Sequence, residues 1–184
     1  MKRALVALLV ALVTVSAASA ASAPQPSGMV LLTVGGFVGK SNRGALDPKR
    51  DSLLAALKVG FKHGFAYDRA MLLELPQGTV TAQPTEFDKP ATFSGPLLRE
   101  VLGHIEAAQA KTTFVAADGY TGYLMPEDIK RSDWILALSA DGKPLGIGQQ
   151  GPVWLLNTRA KGETVGKDRR GSHVWAVVYI HVGE

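Results

Sequence analysis

Apolar residues in this chain come in short runs, most with the two-residue rhythm of strands and a few with the three-to-four-residue spacing of helices. "MVLLTVGGFVG" reads as a strand that ends in glycines. "LDPKRDSLLAALK" predicts a helix, with Asp47 as cap, Pro48 in the first turn and Leu53, Leu54 and Leu57 on one face. "YDRAMLLELP" predicts a second, capped by Asp68 and stopped at Pro76, and "GTVTAQ" a short strand before the loop "PTEFDKP". The clearest helix is "SGPLLREVLGHI", with Pro96 in its first turn and Leu97, Leu98, Val101, Leu102 and Ile105 on one side.

Strands dominate the remainder: "TTFVAA", "YTGYLM", "WILALSA" and "VWLLN". Asp141 and Gly142 supply a hairpin turn between "LALSA" and "KPLGI". In "HVWAVVYIHV", strict alternation puts Val174, Ala176, Val178, Ile180 and Val182 on one face and His173, Trp175, Val177, Tyr179 and His181 on the other. Many strands with a few short helices and no repeats predict an α+β fold with a mixed sheet.

The first residues change the domain reading. Lys2 and Arg3 precede "ALVALLVALVTV" and the small residues "SAASAASAP", the pattern of a secretory signal. Cleavage is expected after Ala20, since Pro24 disfavours the later site. Residues 1–20 are then a signal peptide, 21–28 a flexible leader and 29–184 one exported domain, with no membrane span after cleavage. Without Lys2 and Arg3 the net charge of +4 falls to +2, so the basic balance does not call for nucleic acid. The residual excess is local, in "TRAKGETVGKDRRGS". Such a run is usually a solvated loop, and it also suits phosphate.

There is no cysteine, which removes every thiolate as nucleophile, redox group or metal ligand. Of the four histidines, His173 and His181 share a strand but lie eight residues apart, about 27 Å along it, too far for one ion. No G-x-S-x-G elbow is present. Asp118 and Gly119 either turn a hairpin or hold a carboxylate, with Tyr120, at the mouth of a ligand site. Trp154, after a Gly-Pro turn, either belongs to the core or stacks on a flat ligand. Asn42, Arg43 and Gly44 offer an amide, a guanidinium and a permissive backbone to a phosphate or a heterocycle edge.

Taken in order, "LLTVGGFVGKSNRG", "FAYDRAMLLELPQGTVTAQ", "FSGPLLREVL", "VAADGYTGYLMPEDI", "ILALSADGKPL" and "GPVWLL" resemble the molybdopterin-binding domain of the sulfite oxidase family. The resemblance is greatest to its small, exported, single-domain members. It implies a sulfite oxidase-like α+β fold whose loops close round a pterin, with Asn42, Arg43, Thr81, Gln83, Asp118, Tyr120 and Trp154 at that pocket. Asp118 would accept from a pterin amino or ring N–H. Three departures matter: the region of the family's molybdenum-ligating cysteine reads "TVTAQPTEFDKPATF", Met125 stands where proline is usual, and "LLNTRA" lacks a proline after its strand. Without the sulfur ligand, molybdenum is not expected.

Cysteine-free relatives of this fold resemble periplasmic pterin-binding proteins, some of them adaptors for membrane-bound enzymes of cyclic di-GMP turnover. The resemblance therefore implies a non-catalytic pterin sensor with such an enzyme's periplasmic domain as partner. Two alternatives stay open: a molybdopterin-dependent oxidoreductase without a cysteine ligand, and an exported domain that kept the scaffold and lost the ligand.

Overall fold

The structure, a computed structural model, describes residues 23–157, 170 and 173–184. The proposed signal peptide and the greater part of the basic run at 159–170 lie outside the described residues. In chain order the elements are β1 (Val30–Gly36), α1 (Ser52–Ala56), β2 (Gly64–Asp68), α2 (Arg69–Glu74), β3 (Gln77–Ala82), β4 (Ala91–Pro96) and α3 (Leu98–His104). Then follow β5 (Thr112–Ala116), β6 (Thr121–Leu124), α4 (Pro126–Arg131), β7 (Trp134–Ala137), β8 (Ser139–Ala140), β9 (Lys143–Pro144), β10 (Trp154–Asn157) and β11 (Val177–Val182). The expected class, α+β with a mixed sheet and short helices, is what these elements form.

One sheet has the order β2-β1-β11-β5-β6; β1 and β11 run parallel, and its other pairs are antiparallel. A second follows β3-β4-β8-β9, and β10 pairs with β7 as a separate ribbon. That ribbon lies against β4, through a bridge between Leu97 and Ile135 and a hydrogen bond from Leu138 N to Ser94 O of 2.8 Å. Gly95 makes this approach possible, because a Cβ there would stand 2.0 Å from the Leu136 carbonyl oxygen.

The ribbon explains why "WILAL" and "VWLL" are apolar at every position. A strand sends alternate side chains to opposite faces, so a continuous run needs cover on both. Trp134, Leu136, Leu138, Val153 and Leu155 face the main core, built on the five-stranded sheet and α3. Ile135, Ala137, Trp154 and Leu156 face a second core with Val80, Ala91 and Phe93 of β3 and β4. The two cores thus share one wall two strands wide.

Several expectations are corrected. The helix "SGPLLREVLGHI" begins only at Leu98, because Ser94, Gly95 and Pro96 finish β4; proline holds the preceding residue extended, and Gly95 is needed against β7. The helix after Asp47 is shorter: Asp47 closes its own turn, accepting from Lys49 N at 2.9 Å, and the helix starts at Ser52. Of its leucines, Leu54 is buried while Leu53 is half exposed. "WILALSA" divides between β7 and β8, in different sheets. Strand β2 and helix α4 were not anticipated.

The last strand also departs from simple alternation. Ala176 has φ 49°, and the register shifts between Val177 and Tyr179. The extra residue changes the phase, so Val174, Val177, Ile180 and Val182 reach the main core and Val178 does not. Before this break Trp175 turns outward, 38 % exposed.

The leader is not loose where it is described. One oxygen of Asp68 accepts from Ser27 N and Gly28 N, both at 2.8 Å, while the other caps α2 through Met71 N at 2.9 Å. Ala23 packs on the main core. No helix among the described residues is long and apolar enough to cross a membrane.

Candidate functional site

The hairpin between β5 and β6 is closed by Ala116 and Tyr120, paired through an N–H to O contact of 2.9 Å. Gly119 N donates to Ala116 O at 3.0 Å, and Gly119 takes φ 86°, the left-handed conformation this turn requires. Asp118 Oδ1 accepts from Tyr120 N at 2.9 Å, an Asx turn that fixes the carboxylate. The two readings of Asp118 are therefore compatible. It turns the hairpin, and it also lines a cleft.

That cleft has a volume of about 460 Å³. Its walls include Gln83 from the loop after β3, Asp118 and Tyr120 from the hairpin, Trp154 from β10, and His173 and Trp175 before β11. The loop holds its shape partly through Gln83 itself, whose Nε2 donates to Asp88 O at 3.1 Å. Trp154 is placed by strand alternation with Leu156 on the second core and is 2 % exposed. Phe93 meets it edge-on at 5.3 Å between ring centres, and Phe87 lies tilted at 6.0 Å. So Trp154 is both core and cleft wall, with its faces largely occupied, which corrects the expectation of an indole plane standing free at the mouth.

Trp154 Nε1 is buried without a hydrogen-bond partner among the described residues. By contrast, Trp134 Nε1 donates to Asp128 O at 3.3 Å. His173 Nε2 accepts from Asn157 N at 3.4 Å, and its ring meets Trp134 edge-on at 6.1 Å.

The remaining predicted residues lie elsewhere. The Thr81 hydroxyl bonds that of Thr92 at 3.1 Å on the exposed side of the β3–β4 pair. Asn42 is engaged with main chain: its Nδ2 donates to Pro24 O at 2.8 Å and Ala66 O at 2.9 Å, and its Oδ1 accepts from Ala66 N at 2.7 Å. It thereby staples the leader and its own loop to the edge of β2. Arg43 donates to Asp51 at 2.5 Å and to Thr33 Oγ1 at 3.2 Å, and stacks 4.9 Å above the Phe61 ring. Burial pushes the Asp51 carboxyl up, but hydrogen bonds from Arg43 and from Asp47 N outweigh it and hold the group below its usual value.

Arg43 borders a second cleft of about 550 Å³, which also touches Asp118 and Trp175. The two clefts therefore meet at those two residues. Sequence reasoning missed His173 and Trp175 as cleft residues. Alternation assigned both to one face of a strand, whereas the left-handed Ala176 redirects the chain there.

Of the basic run, Arg170 is described, and it faces carboxylates: Asp128 at 2.8 and 3.0 Å and Glu127 at 2.7 Å. Burial raises the Asp128 carboxyl, and the Arg170 hydrogen bonds overcome that and lower it. Among the described residues, no three His, Asp or Glu side chains are grouped to hold a metal ion.

The fold and the cleft define a mixed α+β domain with a concave site bordered by aromatic and polar side chains. In comparisons with known proteins, no family model matches the chain, and no curated protein is significantly similar to it.

Proposed function

We propose that this protein binds a pterin in the 460 Å³ cleft, in a domain of sulfite oxidase-like fold, as a periplasmic ligand sensor and not as an oxidoreductase. The observation that carries the reading is convergence. Gln83, Asp118 with Tyr120, and Trp154, drawn from three separate blocks of the sequence, border one cleft whose volume suits a small flat ligand. One oxygen of Asp118 is engaged by Tyr120 N; the other is available to accept from an amino group or ring N–H. The donor set offers a heterocycle polar partners at the rim and aromatic cover beneath. It offers molybdenum no thiolate, since the chain has no cysteine, and so no metal step is assigned.

In this reading the partner is the periplasmic part of a membrane-bound cyclic di-GMP enzyme, engaged according to whether pterin is bound. That part rests on the sequence resemblance alone. The test is mass spectrometry of small molecules released from the purified protein, with metal analysis of the same sample. A pterin near one per chain with molybdenum far below that ratio is the expected result. Stoichiometric molybdenum, with sulfite or sulfoxide turnover, would overturn the reading.

A further inference from the structure

Among the described strands, every sheet edge but one is guarded. Beside β2, the Asn42 amide bonds Ala66 N and O, and Arg43 bridges Gly64. Arg170 bridges Tyr123 on β6, Val174 bridges Leu155 on β10, and Leu97 bridges Ile135 on β7. Strand β9 is two residues long, a lysine and a proline. Strand β3 has none of these protections. Gln77–Ala82 carries no charge and no proline, and its register with β4 runs without a bulge.

The direction of its main-chain groups follows from β4. Thr92 N donates to Asp141 Oδ1 and Thr92 O accepts from Asp141 N, both at 2.8 Å, and Ser94 O accepts from Leu138 N at 2.8 Å. Thr92 and Ser94 therefore face away from β3, and by alternation Ala91, Phe93 and Gly95 face it. Their partners Ala82, Val80 and Gly78 turn inward, and Pro76 O continues the series by accepting from Leu97 N at 3.0 Å. Gln77, Thr79 and Thr81 are left pointing outward, with three N–H and three C=O groups that have no main-chain partner among the described residues. Their side chains are exposed as well.

We propose that β3 is a self-pairing edge, which joins the β3 of a second copy of this chain as an antiparallel strand about a two-fold axis at Thr79. Self-complementarity selects a second copy as the occupant. With Thr79 opposite the Thr79 of the other copy and Gln77 opposite Thr81, all the outward N–H and C=O groups of both strands are paired. The threonines at the axis form a favourable cross-strand pair. Gly78 comes opposite Val80, so the bulkier side chain of each copy meets no side chain on the other, and no charge opposes the approach. Because the other edges are guarded, the assembly closes at two. Strands of six residues bury less than the roughly 1,200–2,000 Å² of a stable interface, so a dissociation constant on the order of 10–100 µM is expected. The strand ends at Ala82, which with Gln83 lines the 460 Å³ cleft, so the seam adjoins the cleft wall. The inference does not depend on the pterin reading.

Sedimentation equilibrium of the purified protein, from about 1 µM to about 1 mM, tests this, and the wild type should pass from one chain to two. Thr79→Pro removes an outward N–H and leaves the bonds to β4, at a place where an edge strand tolerates proline. It should weaken the dimer about tenfold or more. Thr79→Lys sets like charges opposite each other across the seam and should give the same loss, which keeps the test open should the proline variant not fold. Amide exchange reads the register. As concentration rises, Gln77, Thr79 and Thr81 should gain protection, while Gly78, Val80 and Ala82, already bonded to β4, should not change. A single-chain mass throughout, a series that grows past two chains, or a dimer that either folded variant keeps at wild-type strength overturns the proposal. So does exchange at Thr79 that is independent of concentration.

Discussion

At the scale of single residues, carboxylates do most of the organising. Asp118→Asn keeps an oxygen for the Asx turn, so thermal stability should barely change, while affinity for pterin should fall about ten- to a hundredfold. Titration and a melting curve on the same sample check both halves; an unchanged affinity would return Asp118 to the turn alone. Asp68 acts inside the fold. Its carboxyl is held below the usual value chiefly by the hydrogen bond from Met71 N, then by that from Gly28 N. Asp51 and Asp128 are lowered as well, by the arginines beside them. A lowered folded pKa gives stability that is complete above the unfolded value of 3.8 and is lost as pH falls through the folded one. The urea midpoint should therefore decline gently below about pH 6.5, because burial and then Lys40 hold the His104 imidazole below its usual value, and drop steeply below about pH 4.5 as the carboxylates are protonated. In Asp68→Asn the midpoint should start lower and the acid limb should be shallower. A parallel acid limb would show that Asp68 does not contribute to it.

At the scale of elements, the critical contact is that of β4 with β7. Gly95→Ala would drive a methyl group into the Leu136 carbonyl, so the strands must part, at a cost of about 3 kcal/mol or more. Ser94→Ala in the same strand loses one hydrogen bond, to the Ser139 hydroxyl at 2.7 Å, and should cost about 1 kcal/mol. Equal losses in denaturant melts would deny Gly95 this role. The same strand shows what the sequence could and could not convey. Run length and alternation reveal β1, β3, β5, β6 and β10, and the Asp141–Gly142 turn declares itself, with φ of 47° and 74°. Yet "SGP" reads equally as a helix start and as a strand end. The choice was made by a carbonyl more than 40 residues away, which no local window contains. Site legibility divides likewise: Asp118 and Gln83 lie on loops next to the cleft, whereas the roles of Asn42 and Arg43 depend on partners at Pro24, Ala66 and Asp51.

At the scale of the whole molecule, a wall shared by two cores ties their fates together. Ile135 and Leu136 are adjacent, fully buried and on opposite faces of that wall. Ile135→Ala and Leu136→Ala should each cost about 2–5 kcal/mol, and each should lower one common transition instead of melting its own core. Coincidence of far-ultraviolet circular dichroism with tryptophan fluorescence during unfolding checks this; two separated midpoints would contradict it. The order of strands in the large sheet has a further consequence, for the time at which the protein comes into being. Strand β11 fills the slot between β1 and β5, so the keystone of the sheet is the last strand of the described chain to be translated. Until the ribosome delivers it, β1 with β2 and β5 with β6 are separate two-stranded ribbons, each too small to persist. The nascent chain is thus kept pliable until Val177–Val182 has been made. A stop codon just before Val177 should yield a polypeptide that proteases clear, however intact the cleft-forming residues upstream of it.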